Sequence, residues 1–189
     1  MKISITDEMK KYALRESKKR NSHIKHHFEV SHLNSTERDI VGFLGEFACC
    51  SLLGIDWKKN IRKDYLTIDT YDFVFNGLKC DVKTETVPDK YASKILTRSI
   101  NDDKLYGRRL INKGQYNLLH KYDLIIFGLF IRERLDFWYP IGYLKTNYIL
   151  HNYKWTYKRP DGGKYPFPAT PVHTSKINDI KGIYNECSN

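Results

Sequence analysis

Two acidic residues and a lysine are spaced so that a single hairpin would bring them together. Asn76 and Gly77 separate two strand-like runs, and Asn-Gly is the strongest short signal for a two-residue type I′ turn. Counting outwards from this turn places Asp72 directly opposite Asp81. Lys83 lies two residues further on, so strand alternation puts it on the same face. Because like charges directly opposite each other destabilise a sheet, this pairing needs a compensating cation.

A divalent metal ion is one such cation. Mg²⁺ binds hard oxygen ligands, commonly one or two carboxylates together with water and phosphate oxygens. Asp72 and Asp81 supply such carboxylates, and the ammonium of Lys83 can approach the same phosphate or a metal-bound water. The residue types therefore favour a metal site that binds a phosphate group. The alternative is a structural cluster in which Lys83 merely neutralises one aspartate.

The same counting divides the hairpin into two faces. We expect one face to lie on the core and the other to carry the charged residues. The predicted core face consists of Tyr71, Phe73, Phe75, Leu78, Cys80 and Val82, and the predicted polar face of Asp72, Asp81, Lys83 and Glu85.

A third carboxylate comes from an apolar helix. Asn34 or Ser35 can cap this helix, Glu37 lies in its first turn, and Gly54 is suited to end it. Between residues 40 and 53 the only charged side chain is Glu46. A helix that is apolar all round is buried, and a buried lone carboxylate is costly unless it is paired, protonated or bound to a metal. Glu46 is therefore a candidate third ligand.

The order of these residues resembles that of the PD-(D/E)XK nuclease superfamily. The resemblance covers roughly residues 35–143: Glu46 in a Gly-Glu helix, Asp72 near the start of one strand, and Asp81-Val82-Lys83 on the next. A later helix and buried strand complete the pattern. Asp72 is not preceded by proline, and the acidic residue before the lysine is Asp instead of Glu.

This resemblance implies a restriction-endonuclease-like α/β (α+β) fold, in which helices flank a mixed sheet, and Mg²⁺-dependent hydrolysis of phosphodiester bonds. Mn²⁺ is expected to substitute for Mg²⁺. The implied roles are metal ligation by Asp72, Asp81 and the backbone carbonyl of Val82, and ligation or water positioning by Glu46. Lys83 would activate the attacking water and stabilise charge. The implied activity is that of a DNA endonuclease, restriction-like or encoded by a phage or mobile element.

Positive charge surrounds the predicted centre. Residues 1–34, 86–121 and 144–189 carry net charges of +4, +5 and +4, whereas 35–85 and 122–143 carry −2 and −1. This arrangement is expected if carboxylates hold a cation while basic side chains neutralise phosphates around it, although a solvated basic surface is the simpler interpretation. The candidate nucleic-acid contacts are Lys58, Lys59, Arg108, Arg109, Lys154, Lys158 and Arg159.

The remaining segments give weaker signals. Thr6 starts a predicted basic helix that runs to about Asn21, and a histidine cluster follows it. The apolar run 124–131 predicts a buried central strand, and 135–143 a returning strand. Segment 86–121 is weakly patterned, with a short helix expected near 112–120. In 143–171 aromatic and basic residues alternate, which favours either base stacking or packing on the core, and 175–184 suggests a last short helix.

Size and composition limit the remaining classes. The chain has 189 residues, 41% of them hydrophobic, so we expect one domain: a basic helical extension (1–34), a catalytic core (35–143) and an aromatic, basic extension (144–189). There is no long apolar run, signal-peptide pattern or zinc-type cysteine spacing, which favours a cytoplasmic protein with reduced thiols and no membrane partner.

Other functions remain open at this stage. A Holliday-junction-type resolvase, a catalytically inactive DNA-binding module of the same fold, and an enzyme acting on RNA are the alternatives. No P-loop, dinucleotide fingerprint or serine-hydrolase elbow is present in the sequence. A homodimer is expected if the enzyme cuts both strands, because that requires two active sites.

Overall fold

The structure, a computed structural model, describes residues 1–21, 33–61, 71–132 and 134–186. The histidine cluster of residues 23–32 lies outside these ranges. The fold is mixed α+β, with a mixed sheet flanked by helices. The helices are α1 (Asp7–Asn21), α2 (Ser35–Leu52), α3 (Asp89–Leu96), α4 (Lys113–Tyr116) and α5 (Thr146–Asn152). The strands are β1 (Ile3–Ser4), β2 (Phe73–Phe75), β3 (Leu78–Val87), β4 (Arg108–Asn112), β5 (Leu124–Ile131), β6 (Arg134–Lys145), β7 (Thr156–Lys158) and β8 (Lys164–His173).

Two sheets organise these strands. The larger has the order β1-β6-β5-β3-β2, and the smaller has the order β4-β8-β7. In the larger sheet β3 and β5 are parallel, whereas the other neighbours are antiparallel. The connection between the two parallel strands contains α3 and β4, as a parallel crossover requires a long segment. The β2 strand is therefore an edge strand, and the predicted hairpin lies at the open side of the sheet.

The central strand β5 separates two apolar cores. All eight of its residues are buried, as the continuous apolar run predicts. Leu124, Ile126 and Phe130 face a cluster built with α1 and α2. Ile125, Phe127 and Leu129 face a second cluster that includes residues of α3, α5 and the smaller sheet. Strand alternation thus gives the sheet two covered faces.

Helix α2 lies very close to β3. A Cβ atom placed on Gly45 would lie 1.9 Å from Oγ1 and 2.6 Å from Cβ of Thr84. The same threonine hydroxyl accepts a hydrogen bond of 3.2 Å from the indole of Trp138, which in turn occupies the space that a side chain on Gly128 would need. Two glycines therefore allow the helix, the sheet and a buried tryptophan to pack in contact.

Several predicted element boundaries are confirmed. Thr6 Oγ1 accepts from the backbone N–H of Met9 at the start of α1. Asn34 and Glu37 form a reciprocal capping box at α2, with hydrogen bonds of 2.9 and 2.8 Å. Gly54, just after α2, has a positive φ of 71°.

Other elements differ from the sequence predictions. The resemblance implies a later helix, but the weak patterning of segment 86–121 did not locate α3, because this helix is only eight residues long and buries just Ala92 and Ile95. The expected helix near 112–120 is shorter, since α4 has four residues and a 3₁₀ turn, Leu119–Lys121, follows it. The predicted helix over 175–184 consists of two 3₁₀ segments, Thr174–Lys176 and Ile180–Asn185. Across the described ranges, no helix has both the length and the apolar character that crossing a membrane requires.

The contact at Gly45 yields a stability prediction. We expect Gly45→Ala to lower the free energy of unfolding by about 1–3 kcal/mol, because the new methyl group overlaps a β-branched side chain that cannot rotate away freely. Gly42→Ala, on the same helix, is the matched control, since no atom lies within 4 Å of its added Cβ. Urea denaturation should show the control unchanged or stabilised by up to about 1 kcal/mol. Equal effects of the two substitutions would contradict close packing of α2 on β3.

Candidate metal and phosphate site

The hairpin that carries the candidate residues has the predicted turn. Asn76 and Gly77 have positive φ angles of 50° and 78°, as a type I′ turn requires. The register is also confirmed over three pairs: Phe75 with Leu78, Val74 with Lys79, and Phe73 with Cys80. Because side chains alternate along a strand, this register places Val82 on the same face of the sheet as Cys80, and Asp81 and Lys83 on the other face.

The pairing beyond Phe73 differs from the prediction. Strand β2 begins at Phe73, and Asp72 lies in a bend, where its backbone N–H donates to Cys80 O over 2.9 Å. Asp72 is therefore not a ladder partner of Asp81, although the two carboxylates remain close enough to influence each other electrostatically. Tyr71 is also exposed and does not join the core face. The β2–β3 ladder therefore stops at Phe73, one residue after Asp72 in the chain.

The carboxylate of Asp72 is held against β3. Its Oδ2 accepts a 2.7 Å hydrogen bond from the backbone N–H of Val82. In an extended strand the N–H and C=O of one residue point to the same side, so the Val82 carbonyl also faces this edge. A carboxylate and a carbonyl oxygen are thereby presented together, both of them hard ligands.

The Asp72 carboxylate interacts electrostatically with the other three predicted side chains, Glu46, Asp81 and Lys83. Burial raises its pKa well above the ordinary value, and repulsion from the carboxylates of Glu46 and then Asp81 raises it further. The ammonium of Lys83 and the hydrogen bond from Val82 act in the opposite direction. The structure thus places one carboxylate under the influence of two others and of one lysine, at the edge of the sheet.

Asp81 and Lys83 form a close pair on β3. Lys83 Nζ lies 2.5 Å from Asp81 Oδ2, and the two side chains are 16% and 8% exposed. The contact does not have hydrogen-bond geometry, and Oδ2 has no hydrogen-bond partner among the residues that the structure describes. The Lys83 ammonium therefore balances the charge of a buried carboxylate oxygen that no hydrogen bond satisfies.

Three cysteines lie near the carboxylates and remain thiols. Cys49, Cys50 and Cys80 are free and buried, as expected for core thiols. Burial raises the pKa of all three, to about 12 for Cys80, and the Glu46 carboxylate contributes to the rise at Cys50. At neutral pH these groups are therefore not thiolate nucleophiles.

The donor set suits a hard divalent cation better than a soft one. Carboxylates of Asp72, Asp81 and Glu46 and the Val82 carbonyl are oxygen donors, as Mg²⁺ prefers. In the described ranges, however, no three or more His, Cys, Asp or Glu side chains are grouped so that they could hold a metal ion. Mg²⁺ does not require such a group, because one or two protein carboxylates with water and substrate oxygens complete its coordination. The buried Oδ2 of Asp81 fits this requirement.

The predicted nucleic-acid contacts are only partly at the surface. Lys59, Lys154 and Lys158 are exposed. Three others are engaged by carboxylates: Lys58 by Glu8, Arg108 by Asp103 and Arg159 by Asp161, at 2.6, 2.6 and 2.7 Å.

Arg109 does not fit the expectation of a nucleic-acid contact. Its side chain is only 2% exposed and forms an ion pair with Glu85 of β3, and it also donates to the carbonyl of Tyr106. A guanidinium at this position links β4 to the strand that carries Asp81 and Lys83. Its partner was not identified from the sequence, because nothing local indicates that β4 packs near β3.

The comparisons with known proteins contribute no relative. The chain matches no family model, and neither a curated protein nor a solved structure matches it. The class of the site therefore rests on its own residues and geometry.

The raised pKa of Asp72 predicts how stability depends on pH. Below the unfolded-state pKa both states hold the proton and the group contributes nothing. As pH rises towards the folded-state pKa, the unfolded state ionises first, so stability is lost. We therefore expect Asp72→Asn, which keeps an oxygen for the Val82 N–H, to be more stable than wild type at pH 7 and equally stable near pH 3.

Asp161→Asn provides a control of opposite sign. The hydrogen bond from Arg159 lowers the pKa of Asp161. Removal of the Asp161 charge should therefore lower the free energy of unfolding at pH 7 and not at low pH. Urea denaturation of the three proteins across this range measures both effects. An Asp72→Asn variant that is no more stable than wild type at pH 7 would contradict the repulsive cluster.

The Arg109–Glu85 pair gives a further prediction. Arg109→Met should lower the free energy of unfolding by about 2 kcal/mol, less than for a fully buried pair because the Glu85 side chain is 32% exposed. Arg108→Met, whose partner Asp103 is 67% exposed, should cost below about 1 kcal/mol. Chemical denaturation distinguishes the two. Equal small losses would mean that Arg109 is not structural.

Proposed function

We propose that this protein is a metal-dependent DNA endonuclease of the PD-(D/E)XK type. One arrangement carries the proposal: the Asp72 carboxylate, just before edge strand β2, accepts a hydrogen bond from the Val82 N–H. Burial, Glu46 and Asp81 raise its pKa, and Lys83 lowers it. Like-charged carboxylates held together in a partly buried site are unfavourable without a cation. Perturbed titratable groups of this kind are concentrated at functional sites.

The order of elements supports the same proposal. Helix α2, the β2–β3 hairpin, helix α3 and the parallel strand β5 follow one another in the chain. This is the arrangement that the sequence resemblance implies for residues 35–143. A restriction-endonuclease-like core is accordingly part of the proposal, with β1 and the smaller sheet as additions around it.

Each residue has a defined task in the proposed reaction. The carboxylates of Asp72 and Asp81 and the Val82 carbonyl would hold the metal ion, and Glu46 would ligate it or orient a water molecule. Mg²⁺, or Mn²⁺ in its place, would supply Lewis acidity and a bound water of lowered pKa. The Lys83 ammonium, kept beside Asp81, would stabilise the negative charge that develops on the phosphate, and its positive charge would favour ionisation of the attacking water, whose proton would pass to solvent.

DNA is the proposed substrate because of the charge balance. The net charge of +10 is concentrated outside the segments that hold the carboxylates. Basic side chains that neutralise phosphates release counterions and make binding sensitive to salt. Cleavage of both strands would require a homodimer or two successive nicking events.

A cleavage assay tests this function. Wild-type protein with Mg²⁺ should convert supercoiled plasmid to nicked or linear forms, and EDTA should abolish the conversion. Asp81→Asn and Lys83→Ala should each lower the rate by at least about 100-fold, because each removes charge that acts in the transition state. Linear duplex, single-stranded and branched DNA, and RNA, define the substrate and separate resolvase from general endonuclease activity.

Asp136→Asn is the matched control for these variants. Asp136 is also paired with a lysine, since Lys10 Nζ lies 2.8 Å from its Oδ1, but the carboxylate is exposed. This variant should cleave like wild type. Salt-sensitive DNA binding by wild-type protein without cleavage of any substrate would instead favour a non-catalytic DNA-binding module.

A further inference from the structure

The edge of the smaller sheet exposes two aromatic rings. Trp155 directly precedes the edge strand β7, which contains Tyr157, and their side chains are 39% and 52% exposed. The other two tryptophans are packed against neighbours. Trp138 is fully buried, and the ring centroids of Trp57 and Phe47 lie 4.8 Å apart. Exposure of such rings side by side is typical of a binding surface, because burial of large apolar side chains is otherwise favourable.

These rings are held in place by their neighbours. The centroids of Trp155 and Tyr157 lie 6.1 Å apart with the planes at 84°. Lys113 Nζ lies 3.7 Å from the centroid of the Trp155 ring, which anchors the indole to α4. Near by, the hydroxyl of Tyr116 donates to the carbonyl of Tyr153 over 3.0 Å. These contacts link the aromatic pair to α4 and to the chain just before β7.

Positive charge along the β7 edge of the smaller sheet indicates what kind of molecule could bind there. Residues 137–160 include no Asp or Glu. Lys154 and Lys158, on either side of the aromatic pair, are exposed and have no carboxylate partner in the described ranges. Because β7 is an edge strand, side chains from both of its faces border the same open edge. A polyanion with flat apolar faces complements this combination.

We propose that Trp155, Tyr157, Lys154 and Lys158 bind single-stranded DNA, with unpaired bases stacked on the two rings and phosphates contacted by the lysines. Within a duplex the faces of the bases are already stacked on one another, so these rings require unpaired nucleotides. The inference rests on the proposed function for its choice of DNA, and it narrows the substrate to DNA that contains single-stranded segments.

Binding measured in EDTA tests the inference independently of cleavage. The probe is a fluorescein-labelled oligothymidylate of about 20 nucleotides, and a blunt duplex of equal length is the comparison. The Trp155→Ala/Tyr157→Ala variant should bind the oligothymidylate at least about 30-fold more weakly, with an unchanged salt slope, and the duplex within about twofold of wild type. Lys154→Ala/Lys158→Ala should reduce the salt slope by about 1.4, as expected for two phosphate contacts on a single strand.

Leu14→Ala, at a leucine of α1 that is 43% exposed, controls for loss of an exposed apolar side chain and should bind like wild type. Unchanged oligothymidylate affinity in the aromatic variant would overturn the proposal, as would an equal loss on duplex. Wild-type self-association that this variant abolishes would overturn it too, because the surface would then bind a second copy. Since Asp81→Asn tests cleavage separately, the nuclease proposal and this one can fail independently.

Discussion

The close approach of α2 to β3 is the constraint on which the candidate site depends. Thr84 contacts the position of Gly45 so closely that no side chain fits there. Glu46 is the next residue of the helix, and its carboxylate therefore lies near enough to the sheet edge to raise the pKa of Asp72. Glu46 itself is half-buried, so it is not the fully buried carboxylate that the apolar sequence of α2 predicts.

The β2–β3 hairpin supplies the remaining candidate residues. Alternation along β3 directs Cys80, Val82 and Thr84 towards α2 and places Asp81 and Lys83 in the opposite row. Asp72 joins the two sides because the chain bends before β2 and its carboxylate reaches the Val82 N–H. The cluster thus combines residues of a helix, a bend and a strand. Repulsion among its carboxylates lowers the stability of the fold locally, and burial in the two apolar cores offsets this loss. Such local losses of stability are common at functional sites.

Local signals in the sequence were enough to predict most of the elements that carry the candidate residues. Asn76-Gly77 sets the hairpin register, the capping residues Asn34 and Glu37 set the start of α2, and the run 124–131 is the central strand. The bend at Asp72 could not be predicted, because counting from the turn assumes an uninterrupted ladder. Long-range packing could not be predicted either. Nothing near Arg109 in the sequence indicates that Glu85, on another strand, neutralises its charge. The exposure of Trp155 likewise depends on the position of β7 at the edge of its sheet.

Binding of Mn²⁺ is the measurement to make first, because the carboxylates of Asp72 and Asp81 must hold a divalent cation if the protein is a metal-dependent nuclease. Titration of the protein with Mn²⁺, followed by the electron paramagnetic resonance signal of the free ion, gives the affinity without any need for turnover. We expect wild type and Asp136→Asn to bind Mn²⁺ alike and Asp81→Asn to bind it at least about tenfold more weakly, since a charged ligand is lost. Equal affinity of wild type and Asp81→Asn for Mn²⁺, in the presence or absence of DNA, would mean that Asp81 is not a metal ligand.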